Sequence, residues 1–135
     1  MPGETNLQKL LGAMAPELRA EIFVFATLPP GAPRPTGVNP VMTFQEREGD
    51  TLILTEEEAR AARLRYAFRS RMITLNIHSS LDAVGFLAAI AARLAAAGMG
   101  VNPVSGYFHD HLFVPAERAE EAIAILESVV AENCD

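Results

Sequence analysis

The stretch ITLNIHSSLDAVGFLAAIAARLAAAGMGVNPV, from Ile73 to Val104, changes hydrophobic period twice, and the order of the changes leaves few folds open. MITLNI, residues 72 to 77, reads as a strand; from Val84 onward the apolar residues Val84, Leu87, Ile90, Ala91 and Leu94 recur at helical spacing. Gly98 stands where a helix end takes a left-handed residue, and GVNPVSGYF follows as a second strand. Between strand and helix, either Ser79 or Ser80 is positioned to cap, with Asp82 third in the helix in the first case and second in the other. Ala88, Ala89, Ala91, Ala92, Ala95, Ala96 and Ala97 raise helix propensity and permit close approach to a sheet.

The rest of the second half continues in kind: a turn at His109-Asp110, a strand at LFVP, and a last helix from Glu117 to about Ala131 with Ala122, Ile125, Leu126 and Val129 inward. Its order is β-α-β-β-α. The first half opens with a helix over Thr5 to Met14, Leu7, Leu10, Leu11 and Met14 on one face, and EIFVFATL then reads as a buried strand. Five prolines and two glycines make PPGAPRPTGVNP, residues 29 to 40, a surface loop. VMTFQE and TLIL form a hairpin about Arg47 to Asp50; Thr55 and Glu58 have capping-box spacing for a short helix to about Arg63; Leu64 to Phe68 returns as a strand. This order, α-β-β-α-β, and that of the second half are each a βαββαβ unit lacking one end strand: residues 1–69 the opening strand, residues 70–135 the closing one. The expected fold is α+β, two tandem, half-complementing ferredoxin-like sandwiches with antiparallel sheets, neither of which folds alone.

Composition narrows the partners. A 50% hydrophobic fraction supports a core, while 17 acidic against 11 basic residues give a net charge of -6, which repels phosphate backbones and argues against nucleic acid. The longest apolar run, Ala83 to Ala97, is interrupted by Arg93 and too short to span a membrane. The N-terminus lacks the pattern of a secretion signal, and Cys134 as the sole cysteine excludes an internal disulfide framework, so a soluble protein of a reducing cytoplasm is expected.

LDAVGFLAAIAARLAAAGMGVNPV resembles the first helix and second strand of an ACT domain, whose pattern is an acidic residue, a Pro-Gly or similar pair, an apolar helix, then Gly-hydrophobic-Asn. Asp82, Gly85, Leu87, Ile90, Leu94, Gly98, Val101 and Asn102 stand in those places, with Ala83-Val84 replacing the proline. The resemblance extends over residues 72 to 131 and, in order of elements, over a chain of two ACT-like units. It implies a non-catalytic regulatory module that pairs as a homodimer, needs no cofactor, and binds a small molecule, an amino acid above all, near the first strand-helix loop. The residues so implied are Ser79, Ser80, Leu81, Asp82, Val84, Gly85, Asn102 and Val104. Helix-start amides and the helix dipole favour a carboxylate there, and Gly85 lets a ligand approach the backbone; a helix cap needs the same serines and aspartate with no ligand at all.

His109-Asp110-His111 places two histidines on one strand face, short of a third ligand for a metal, since His78 lies on another strand. No nucleophile elbow, phosphate loop or metalloprotease motif is present. Two other functional classes stay open: an assembly domain with a degenerate pocket, and a small enzyme using His109, Asp110 or His78 at a subunit junction.

Overall fold

The computed structural model describes residues 3–134. In chain order the elements are α1 (Leu7–Ala13), β1 (Ala15–Leu18), β2 (Phe23–Leu28), β3 (Met42–Gln45), β4 (Asp50–Thr55), α2 (Glu56–Ala61), β5 (Arg65–Asn76), α3 (Phe86–Ala96), β6 (Asn102–Ser105), β7 (Asp110–Pro115) and α4 (Ala119–Asn133), the last entered through a 3-10 turn at Ala116–Arg118. They form two compact units: an insert, Ala20–Ser70, and a terminal unit built from both ends of the chain, Met1–Arg19 with Arg71–Asp135. The strand β5 gives its first half to the insert and its second half to the terminal unit.

In the insert the strand order is β3-β4-β2-β5, all antiparallel. Val24, Ala26, Leu28, Leu52 and Leu54 alternate onto one face and bury against Ala59 of α2, with Val38 and Ala32 of the proline-rich loop packed alongside. That sheet has all four strands of a βαββαβ unit. The sequence order left the first half without an opening strand; what this unit lacks is its first helix, because the chain between β2 and β3 carries too many prolines to form one. The capping box forms as its spacing predicts: the Glu58 amide donates to Thr55 Oγ1 at 3.2 Å and the Thr55 amide to Glu58 Oε1 at 3.1 Å.

In the terminal unit β1 pairs with β5, and β7 and β6 follow on the other side, giving β1-β5-β7-β6. The closing strand missing from the second half is thus β1, drawn from the N-terminus, with Leu18 opposite Ile73 and Ala15 opposite Asn76. Leu10 and Leu11 of α1, Phe86, Ile90 and Leu94 of α3, and Ala122, Leu126 and Val129 of α4 bury against Ile73, Leu75, Leu112 and Val114 of the sheet. Gly98, φ 74°, closes α3, the Gly98 amide bonding the Ala95 carbonyl and the Met99 amide the Leu94 carbonyl. Among the described residues no helix is long and apolar enough to cross a membrane.

Three local expectations are corrected. The strands at 64–68 and 72–77 are one strand, β5, with an irregularity at Phe68, φ 65°. The hairpin turn sits at Gly106 to His109, closed by the Gly106 amide on the His109 carbonyl at 2.9 Å, so Asp110 is the first residue of β7 rather than a turn residue. Neither Ser79 nor Ser80 caps α3, which begins at Phe86 behind Gly85 at φ 90° and has no side-chain cap. The helix starts five residues later than a Ser80 cap would place it and six later than a Ser79 cap, so Val84 is 84% exposed while Phe86, Ile90 and Leu94 point inward.

Candidate functional site

Between β5 and α3 the chain runs as an irregular loop from Ile77 to Gly85, held from three directions. Glu4 bridges to it: its amide donates to the His78 carbonyl at 2.8 Å, and its carbonyl accepts from the Ser80 amide at 2.9 Å. Gly3 lies so close beneath that a Cβ there would come within 2.5 Å of the His78 carbonyl oxygen. From β7, Asp110 is buried and accepts from two hydroxyls, Ser105 Oγ at 2.6 Å and Ser79 Oγ at 3.3 Å. The His109 ring, as its Nδ1–H tautomer, donates to the Ile77 carbonyl at 3.2 Å.

Beyond these anchors the loop turns on itself. Ser80 Oγ accepts from the Asp82 amide at 3.0 Å and the Ser80 carbonyl from the Ala83 amide at 3.0 Å, a serine turn in place of a helix cap. Gly3, His78, Ser79, Ser80, Leu81, Asp82 and Tyr107 line an open hollow of about 380 Å³. The His78 ring sits 5.7 Å from Phe108 and 6.4 Å from Tyr107, and those two rings are 4.9 Å apart edge to face. Tyr107, Phe108, Leu81 and Val84 are all exposed, so this end of the unit carries an apolar, aromatic rim.

Of the residues singled out from sequence, Ser79, Ser80, Leu81 and Asp82 line this hollow, and Val84 and Gly85 continue the same loop to the helix. Asn102 and Val104 lie on β6, opposite Phe113 and His111, and are not among the lining residues. The anchoring group missed by sequence reasoning is Asp110 with Ser105; its signal was the strand alternation Asp110-His111-Leu112-Phe113, which puts Asp110 on the side of Leu112. His111 faces Thr74, its Nδ1 at 2.9 Å from the hydroxyl, and burial together with neighbouring His109 holds its pKa below the ordinary range, Asp110 opposing. The rings of His109 and His111 are 6.5 Å apart, and among the described residues no three His, Cys, Asp or Glu side chains converge as a metal cluster. A second hollow, about 500 Å³, lies between α1 and the end of α4, with Glu4 and Lys9 as its charged walls; Glu4 is already engaged by the Asn6 and Thr5 amides, which lower its pKa.

The loop hollow therefore offers one carboxylate, Asp82, one imidazole, His78, serine hydroxyls and, four residues on, a helix entrance without a side-chain cap. That set suits a small ligand with an ammonium and an acidic group.

Sequence profiles described as ACT domain match twice, over residues 2–71 and residues 67–128. No curated protein matches. Among solved structures, a Vibrio cholerae protein of unknown function, described as a possible transport protein, is similar at 40% identity and a TM-score of 0.83, over 92% of this chain and 95% of that one. The regulatory subunit of aspartate kinase from Thermus thermophilus, in ligand-free form, is similar in fold at 12% identity and a TM-score of 0.66, over 88% and 97% of the two chains. Aspartokinase III of E. coli, in complex with aspartate and ADP, matches at 13% identity and a TM-score of 0.65, over 87% of this chain and 33% of that one.

Proposed function

The chain belongs to the ACT domain family, with two such domains in tandem, and from that premise we propose that it is a non-catalytic regulatory module that binds an amino acid at the loop from His78 to Gly85. The observation that carries this reading is the way the loop is built. Its serines are not spent on capping α3; one is tied to buried Asp110 and the other forms the turn that presents Asp82 at the hollow. In the proposed complex Asp82 takes the ammonium group, Ser80 and Leu81 shape the wall, and the carboxylate lies toward the helix entrance beyond Val84 and Gly85.

Asn102 and Val104, on the edge strand β6, complete the site from a second copy in a homodimer. The exposed aromatic rim of Tyr107 and Phe108 supports pairing at this end, since contiguous apolar surface of this kind marks an interaction site. The same rim supports a second reading, an assembly domain whose hollow is left unused. The protein works in the cytoplasm, where its lone cysteine stays reduced.

The test is a thermal-shift screen of the purified chain against the amino acids, followed by calorimetric titration of each that raises the melting temperature. Saturable binding of one amino acid supports the proposal. Failure of every amino acid to bind, with a stable dimer by light scattering, supports assembly alone.

A further inference from the structure

The corner between α2 and β5 ends in a way its residues do not favour. The Leu64 amide donates to the Ala59 carbonyl at 2.9 Å and the Arg63 amide to the Arg60 carbonyl at 3.1 Å, the pair of bonds that closes a helix around a left-handed residue. At the end of α3 the same pair closes around Gly98, but here the left-handed residue is Arg63, φ 55°. Glycine fills such a position without the Cβ clash an L-residue suffers. The helix dipole does not explain the choice, because Arg60 already places a cation in the last turn.

What arginine adds is its side chain, and that side chain is uncommitted. Among the described residues neither Arg63 nor its neighbour Arg65 has a hydrogen bond or ion pair through its guanidinium, whereas Arg60 and Arg69 share Glu56, with nitrogens 3.6 and 2.9 Å from Oε2. Arg63 and Arg65 line a hollow of about 570 Å³ with Leu28, Pro29, Pro30 and Glu48. Two of its lining residues, Pro29 and Pro30, have φ fixed by their rings, and the backbone at Leu28 beside them is closely packed, since a Cβ on Gly49 would lie 2.5 Å from the Leu28 carbonyl oxygen. Its charged lining residues are two arginines and one glutamate.

We infer that this hollow of the insert is an anion site, where Arg63 and Arg65 hold the carboxylate or phosphate group of a small metabolite. Guanidinium groups match both anions through paired N–H donors, and a left-handed arginine is retained at a glycine position because its charge is used. The site is separate from the loop His78 to Gly85 and does not rest on the reading proposed for it.

The experiment is calorimetric titration of the full chain with inorganic phosphate and, separately, succinate, in wild type, Arg63→Gly and Arg65→Gln. Saturable binding of one or both is expected, and which of them binds tells phosphate from carboxylate. Affinity should fall tenfold or more in either variant. Arg63→Gly should melt no lower than wild type, since the strained residue is gone, so its lost affinity is not lost folding. No saturable binding of either anion by wild type, or undiminished affinity in both variants, overturns the inference.

Discussion

Ser79 and Asp110 stand 31 residues apart in sequence, and the serine hydroxyl donates to Asp110 Oδ2 at 3.3 Å in a buried contact that ties the loop after β5 to the first residue of β7. Ser105 occupies the other carboxylate oxygen, so both acceptors of a buried anion are used. Asp110→Ala leaves two hydroxyls short of a partner and should lower stability by about 1–3 kcal/mol in urea titrations. Asp110→Asn keeps one acceptor and should cost less. Amide exchange at Ser79 and Ser80 should speed up in the alanine variant beyond the change in global stability, because the loop loses its tether to the sheet.

Elements with a local cause were legible in the sequence. The Thr55/Glu58 box, the Gly98 helix end, the helix-forbidding prolines of 29–40 and the inward stripe of α4 each follow from residues within a turn of one another. The closing strand of the second half was not legible. Ala15–Leu18 has four residues, one of them Pro16, and becomes a strand only because β5 lies beside it. At the site, Ser79-Ser80-Leu81-Asp82 reads as a helix cap, and what makes it a turn instead is Gly85 entering at positive φ and Asp110 reaching in from another strand. The loop could be placed from sequence; which hydroxyl did what could not.

The N-terminal contribution to the terminal unit has a direct consequence. Residues 70–135 alone lack β1 and the buried Leu10, Leu11 and Met14, each worth ~1.5–3 kcal/mol of burial, a sum comparable to the whole stability of a small domain. Expressed alone, that fragment should show no cooperative thermal transition. Adding a peptide of residues 1–19 should restore one, read by circular dichroism. Cooperative unfolding of the fragment by itself would show that α1 and β1 are dispensable.

His111 makes stability depend on pH with a definite sign. Its folded pKa lies below the ordinary value of 6.5, chiefly through burial and with a contribution from His109. Below about that value the unfolded chain binds a proton that the folded chain resists, so the stabilising margin is full above the unfolded pKa and shrinks as pH falls toward the folded one. His111→Gln, which keeps a partner for the Thr74 hydroxyl, should flatten the fall in melting temperature between roughly pH 6.5 and 5. An identical slope in the variant would assign the acid sensitivity to other groups.

Asp82 separates the structural account of the loop from the binding account. Its carboxylate caps nothing, since α3 starts four residues later without a side-chain cap, and its backbone amide, not its side chain, makes the turn with Ser80. Asp82→Asn should therefore change unfolding free energy by well under ~1 kcal/mol, less than removal of a working cap costs. If Asp82 holds the ammonium group of an amino acid, the same change removes a charge-assisted hydrogen bond and should weaken binding by roughly 1.5–3 kcal/mol, about tenfold or more. The measurement is calorimetric titration of both proteins with the amino acid that most raises the wild-type melting temperature, alongside urea unfolding of each. Unchanged stability with lost affinity places the ligand on Asp82. Equal affinities would take Asp82 out of the site and, since among the described residues no other carboxylate lines the hollow, would place the ligand's ammonium group outside it.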